Sequence, residues 1–203
     1  MIAIVDYGVG NLFSLQSSLE AIGAPSVVTA DAEQIRRADR VILPGVGAFE
    51  DAAAKLRRSG LGEVVREHAA AGKPLLGVCL GMQLLLERSY EYGEHEGLGL
   101  IPGEVRPIRD VIPAALKVPH IGWNQLDFTK NSRLFRHIHE REYVYFVHSF
   151  YAVAEDTYVS ATTGYGAPLT AVVERGNVFG CQFHPEKSHT VGLNILRAFS
   201  FDA

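Results

Sequence analysis

The sequence predicts an α/β fold: a doubly wound, mostly parallel central sheet with a nucleophile elbow, carrying antiparallel additions in its second half. Three observations predict it. Up to residue 89, apolar runs too short to be helices alternate with segments whose apolar residues recur at helical spacing, as parallel strands joined by crossover helices require. At Pro74-Leu75-Leu76-Gly77-Val78-Cys79-Leu80-Gly81-Met82-Gln83-Leu84-Leu85-Leu86 an apolar run reaches a glycine-bracketed cysteine and changes at once to helical spacing, which reads as a buried strand, a sharp turn and a helix. Beyond Ser89 helices retreat and short strands follow one another.

Ile2 to Val5 is the first strand; Asp6-Tyr7-Gly8-Val9-Gly10-Asn11 then leads into a helix carrying Leu12, Leu15, Leu19 and Ile22, with Asn11 at the N-cap. Ser26 to Thr29 and Arg40 to Leu43 are the second and third strands. The third ends in Pro44-Gly45-Val46-Gly47 before a helix from Ala48 through Arg58. Gly60 and Gly72 bracket a helix over Leu61 to Ala71, which feeds the strand before Cys79. Tyr90-Glu91-Tyr92-Gly93-Glu94-His95-Glu96 reads as a solvated loop. Strands are expected near Gly103 to Pro107, Val118 to Phe128, Tyr143 to Val147, Tyr158 to Thr162, Thr170 to Glu174 and Val178 to Phe183.

With 203 residues, 47% of them hydrophobic, the chain can bury a substantial core, and a single domain over residues 1–203 is expected. A formal charge of −4 with scattered Lys and Arg offers no field for nucleic acid. No signal pattern or membrane-length apolar run is present, which points to a soluble, cytoplasmic protein. The two cysteines argue against a disulfide framework, and Cys181 reads as a packed thiol. His137, His139 and His148 match no helical zinc spacing, so neither metal nor other cofactor is expected. Gly8-Val9-Gly10, with Asp31 past the second strand, imitates half of a dinucleotide fingerprint. Phe13 occupies the third glycine's place, and its bulk should hold the helix off the sheet.

Cys79 carries the chemistry. Its neighbours two positions either side must lack bulk where strand and helix nearly touch, and Gly77 and Gly81 meet that demand. The helix beginning at Leu80 points free N–H groups toward the sulfur and favours a nucleophilic thiolate, although a glycine-flanked buried cysteine is also compatible with a mere tight connection. In such a sheet one oxyanion donor is the N–H after the nucleophile, here Leu80, and the second comes from the loop after the neighbouring strand, here Gly45, Val46 and Gly47. A later strand, Val178 to Phe183, ends in His184-Pro185-Glu186. Residues two apart in an extended turn project to the same side, so Glu186 can orient the imidazole that moves protons for Cys79.

Gly77-Val78-Cys79-Leu80-Gly81-Met82-Gln83 with Phe183-His184-Pro185-Glu186 resembles the class I glutamine amidotransferases. The blocks Asp6 to Asn11, Pro44 to Phe49, Pro119-His120-Ile121-Gly122-Trp123-Asn124, Tyr145 to Ser149 and His184 to Ser188 resemble, in order, the glutaminase subunits that this family contributes to imidazole glycerol phosphate synthases. The resemblance spans the chain and implies a Cys79, His184 and Glu186 triad that hydrolyses the side-chain amide of glutamine. Gln83 and Glu91, with the backbone of Ser149 and Phe150, would hold that substrate. It also implies a heterodimer with a separate cyclase subunit, a (β/α)8 barrel, that uses the ammonia to make imidazole glycerol phosphate and aminoimidazole carboxamide ribonucleotide in histidine biosynthesis. Asn11, Trp123, Tyr145 and Lys187 would face it, although Trp123 and Tyr145 also suit a core. Such a subunit would be nearly idle alone, with the Pro44 to Gly47 loop flipping a peptide when the cyclase binds its ligand. Readings that stay open are a glutaminase serving another synthase, such as one of chorismate or pyridoxal phosphate metabolism, a Cys-elbow hydrolase or peptidase without a partner, and a dinucleotide-binding or scaffolding domain.

Overall fold

A computed structural model describes residues 1–203. The first half contains β1 (Ile2–Val5), α1 (Leu12–Ala21), β2 (Ser26–Thr29), α2 (Ala32–Arg37), β3 (Arg40–Leu43), α3 (Phe49–Ser59), α4 (Leu61–Ala70), β4 (Leu75–Val78) and α5 (Leu80–Leu84). The second half contains β5 (Arg88–Ser89), β6 (His95–Glu96), β7 (Glu104–Pro107), β8 (His120–Gln125), β9 (Asp127–Phe128), β10 (Tyr143–His148), β11 (Phe150–Val153), β12 (Val159–Gly164), β13 (Pro168–Arg175), β14 (Val178–Cys181) and α6 (His189–Phe201).

The main sheet has the order β2-β1-β3-β4-β14-β13-β12-β9. Its neighbours from β2 to β14 are parallel, whereas β13, β12 and β9 join antiparallel. Strand alternation divides the core. Ala3, Val5, Val41, Leu43 and Leu75 pack under α2, α3 and α4, while Ile2, Ile4, Ile42, Leu76 and Val78 pack under α1 and α6. Both faces being covered explains why β1 and β4 read as unbroken apolar runs.

Several expectations need correction. Not every later strand extends the main sheet: β8 pairs with β10 alone, and β11-β7-β5-β6 form a third sheet. The Tyr90 to Glu96 stretch is accordingly not all loop, since His95–Glu96 pairs with Arg88–Ser89. Helix α6 was not expected, although Val191, Ile195 and Phe199 recur at helical spacing and two of the three are fully buried. The helix after Cys79 is only five residues long. It stops because Leu98, Leu100 and Gly99 donate to the carbonyls of Leu84, Leu85 and Leu86, which a continuing helix would need. Asn11 stands at the N-cap of α1 without a side-chain cap bond.

The order β3-β4-β14 sets three strand ends side by side. Register pairs Leu43 with Gly77 and Cys181 with Val78, so Pro44, Cys79 and Gln182 leave the sheet together. Cys79 has φ +55°, an unfavourable angle for a residue with a side chain, and it is held by a close approach of backbone to backbone. A Cβ on Gly81 would stand 1.9 Å from the Leu43 carbonyl oxygen, and one on Gly77 would stand 2.6 Å from the Gly81 oxygen. Gly81→Ala therefore forces strand and elbow apart, and the expected cost is about 1–3 kcal/mol, read as a lower urea midpoint. An unchanged midpoint would contradict this packing.

Candidate active site

A cavity of about 320 Å³ opens at these strand ends. Cys79, Leu80 and Gln83 from the elbow line it together with Val46 and Gly47, Glu91, the stretch from Val147 to Phe150, and His184. Cys79 is 7% exposed and His184 3%, so the sulfur and the imidazole are largely shielded from solvent although the cavity beside them is open.

His184 follows β14 and is anchored through its backbone. Its N–H donates to the Tyr145 carbonyl at 3.0 Å, and its carbonyl accepts from the Ser188 hydroxyl at 2.7 Å, which itself accepts from the Tyr145 N–H at 3.0 Å. Glu186 sits in a 3₁₀ turn, not in the extended turn expected, yet its Oε1 still meets His184 Nδ1 at 2.9 Å. That bond makes Nδ1 the donor and turns Nε2 to the other side of the ring. Burial disfavours the imidazolium, but the Cys79 sulfur and the Glu186 carboxylate more than reverse this and raise His184 to about 10. Because folding strengthens proton binding here, the associated stability is complete below the ordinary imidazole range and is lost as pH rises through about 10. Glu186 Oε2 is buried with no protein partner.

The residues expected around the substrate fall into two groups. Val46 and Gly47 reach the cavity, Gly47 at φ +90°, but Gly45 lies behind its wall, where a Cβ would meet the Gly81 nitrogen at 2.8 Å. Gln83 Nε2 is already committed, at 3.2 Å to the Phe150 carbonyl and 3.0 Å to Gln182 Oε1. Glu91 Oε2 accepts from the Phe49 N–H at 2.7 Å, at the start of α3. The Phe150 carbonyl also accepts from His148 Nδ1 at 2.8 Å, so both its lone pairs are occupied, and the Ser149 carbonyl accepts from the Ile108 N–H.

Sequence reasoning missed three contributors. The Tyr7 hydroxyl donates to the Pro44 carbonyl at 2.6 Å, pinning one peptide of the glycine loop; burial, with Cys79 nearby, pushes its pKa well up and keeps it a donor. The Ser188 hydroxyl fixes the histidine turn. His148 pairs with His120, ring nitrogens 3.0 Å apart, and burial, reinforced by His120 and His184, holds it down at about 4. Tyr7 and Pro44, Tyr145 and Ser188, and His120 and His148 are distant in sequence and leave no local signal, whereas the Ser188 bond to His184 spans four residues. His137 instead meets Asp202 at 2.7 Å, so the three histidines weighed as metal ligands do not converge.

At the surface, Trp123 is 42% exposed and not a core residue. It lies 5.8 Å from the half-buried Tyr145 ring and stacks on His189 at 5.0 Å, while Lys187 Nζ stands 5.9 Å from the Tyr145 ring centre. Asn11 follows Gly10, where an added Cβ would stand 2.9 Å from the Pro44 Cβ. The dinucleotide reading loses its props. Asp31 caps α2 by accepting from Glu33 and Gln34 N–H groups, and Phe13, 80% exposed, points into solvent and does not hold the helix off the sheet.

Nuclear magnetic resonance titration of the His184 ring tests the electrostatics. Its midpoint is expected well above 6.5 and should fall in Glu186→Gln and in Cys79→Ala, since each removes a negative neighbour. A midpoint at or below 6.5 in the unaltered protein would contradict the arrangement.

The family model "Glutamine amidotransferase class-I" matches residues 3–203. A protein of Moorella thermoacetica named imidazole glycerol phosphate synthase subunit HisH is 51% identical, with 98% of this chain and 93% of the relative covered. A protein of the same name from Sulfurimonas denitrificans is 50% identical, over 98% of this chain and 97% of the relative. A solved structure titled as a glutamine amidotransferase superposes with a TM-score of 0.75 at 20% identity, covering 98% of this chain and 97% of that one, which shows a shared fold. Match, identity and coverage agree: this chain belongs to the class I glutamine amidotransferase family.

Proposed function

We propose that the protein is the glutaminase subunit of an imidazole glycerol phosphate synthase, a cytoplasmic single-domain enzyme that hydrolyses glutamine and passes the ammonia to a cyclase subunit. The observation that carries the chemistry is one cavity walled by Cys79 and by a His184 ring whose far nitrogen is held by Glu186. The full-length relatives named HisH carry the choice of synthase over other ammonia-dependent partners.

In this reading Cys79 Sγ attacks the side-chain amide carbon of glutamine. The oxyanion is met by the Leu80 N–H and by one N–H of the Pro44 to Gly47 loop, from Gly45, Val46 or Gly47. His184 protonates the departing nitrogen, ammonia leaves, and a γ-glutamyl thioester remains. His184 then takes a proton from water as it attacks the thioester, releasing glutamate. Glu186 keeps the ring oriented and offsets its positive charge. Gln83 Oε1, which no protein donor engages, and Glu91 Oε1 are acceptors available to the ammonium group of glutamine, while Ser149 and Phe150 confine its main-chain end.

Free ammonia becomes ammonium in water, so its acceptor must lie close. Trp123 and Lys187 lie exposed beside the half-buried Tyr145 ring at the histidine turn, and this is the face assigned, together with Asn11, to the cyclase, a (β/α)8 barrel. The Val46 to Gly47 rim is exposed, which suits a peptide flip on partner binding.

Cys79→Ala is expected to lower glutamine hydrolysis at least a thousandfold while leaving the fold and cyclase binding intact. Substantial residual turnover would remove Cys79 from the chemistry. Mixing the protein with the cyclase and its nucleotide ligand is expected to raise glutaminase turnover many-fold over the isolated chain, with ammonia consumed by the cyclase; equal rates with and without the partner would remove the case for gating, and absence of any transfer would remove the case for this synthase.

A further inference from the structure

Gln182 lies between β14 and His184, is fully buried, and has no part in the mechanism above. Strand alternation explains its direction. Cys181 and Phe183 enter the core under α1 and α6, so Gln182 projects from the opposite face, the one where a Cβ on Gly180 would touch Met82 of α5. There its carboxamide joins a chain of bonds whose polarity is fixed from one end. The Phe150 carbonyl can only accept, so the Gln83 group 3.2 Å from it is the NH₂. That same NH₂ reaches Gln182 at 3.0 Å, so the Gln182 atom facing it is the oxygen. The other end of the Gln182 amide is therefore an N–H donor, and it faces Cys79 Sγ at 3.8 Å.

We propose that Gln182 is a further residue of the reaction site, which donates a hydrogen bond to the Cys79 sulfur and, through Gln83, ties the nucleophile to the Phe150 wall of the cavity. Sulfur bearing negative charge accepts an N–H better than a thiol does, so the bond stabilises the attacking form and fixes its direction. Gln182 carries no charge and does not exchange protons with the sulfur. The titratable groups around Cys79 are His184, backed by Glu186, Tyr7 from the loop after β1, and Cys181 from β14, and each keeps its identity when Gln182 is changed. The inference rests on Cys79 being the nucleophile.

The test is the pH dependence of Cys79 alkylation by iodoacetamide in the full chain, with Cys79→Ala giving the background from buried Cys181. Alkylation reads the sulfur whether or not glutamine is the substrate, so failure of this inference and failure of the glutaminase reading are distinguishable. Gln182→Met, close in size but without a donor, is expected to raise the alkylation midpoint by about one pH unit and to lower kcat about tenfold to a hundredfold, with KM changed less than about threefold. Gln182→Glu, which keeps an acceptor for Gln83 but turns a carboxylate oxygen to the sulfur, should raise the midpoint further. In the unaltered protein, where no substitution can disturb folding, a Gln182 side-chain amide proton should shift with the same midpoint as alkylation. An unchanged midpoint in folded Gln182→Met, or a Gln182 amide resonance indifferent to that titration, would overturn the proposal.

Discussion

The structure depends on a contact with no room in it. Where β4 turns into α5, the Gly81 backbone passes so near the Leu43 carbonyl and the Gly77 backbone that no side chain fits at either glycine. This is what permits Cys79 to keep φ +55°, with its side chain lifted off the sheet and into the cavity lining. The Cys79 N–H donates to the Cys181 carbonyl at 2.8 Å, so the elbow is also fastened to the strand that delivers the histidine. Packing, strain and placement of reactive groups are one feature here.

The electrostatics follow from that placement. A buried imidazole loses hydration, and a lone His184 there would be neutral. Sulfur on one side and carboxylate on the other invert the balance, while His148, buried without a carboxylate beside it, moves the opposite way. Two histidines lining one cavity thus take opposite charge states because of what lies within bonding distance. Neutral His148 holds the Phe150 carbonyl, which also anchors Gln83, and Gln83 reaches Cys79 through Gln182, so the cavity wall and the Cys79 sulfur share a network of fixed dipoles.

Much of this was legible in the sequence because its signals are local. Proline marks one end of β2, β3 and β4, and the reading of β2 as Ser26–Thr29 and β3 as Arg40–Leu43 agrees with the structure residue for residue. The spacing around Cys79 encodes a steric demand, and His184 and Glu186 are only two residues apart. What escaped depends on distant partners. Sheet membership of β8, β10 and β11 is decided by pairing, the early end of α5 by carbonyls surrendered to residues 98–100, and the roles of Tyr7 and Ser188 by bonds spanning many residues. The exposed side of Phe13 was misjudged because a motif comparison supplies spacing without helix rotation.

The central claim is that the strand ends unite a reactive sulfur and its proton carrier in one recess of about 320 Å³. Its most direct measurement is rapid acid quenching of the protein turning over glutamine, with the proposed cyclase partner and its nucleotide ligand present, followed by peptide mass mapping. The account expects a γ-glutamyl group on the peptide containing Cys79 and none on the peptide containing Cys181. A γ-glutamyl group elsewhere, or steady turnover with Cys79 never acylated, would contradict it.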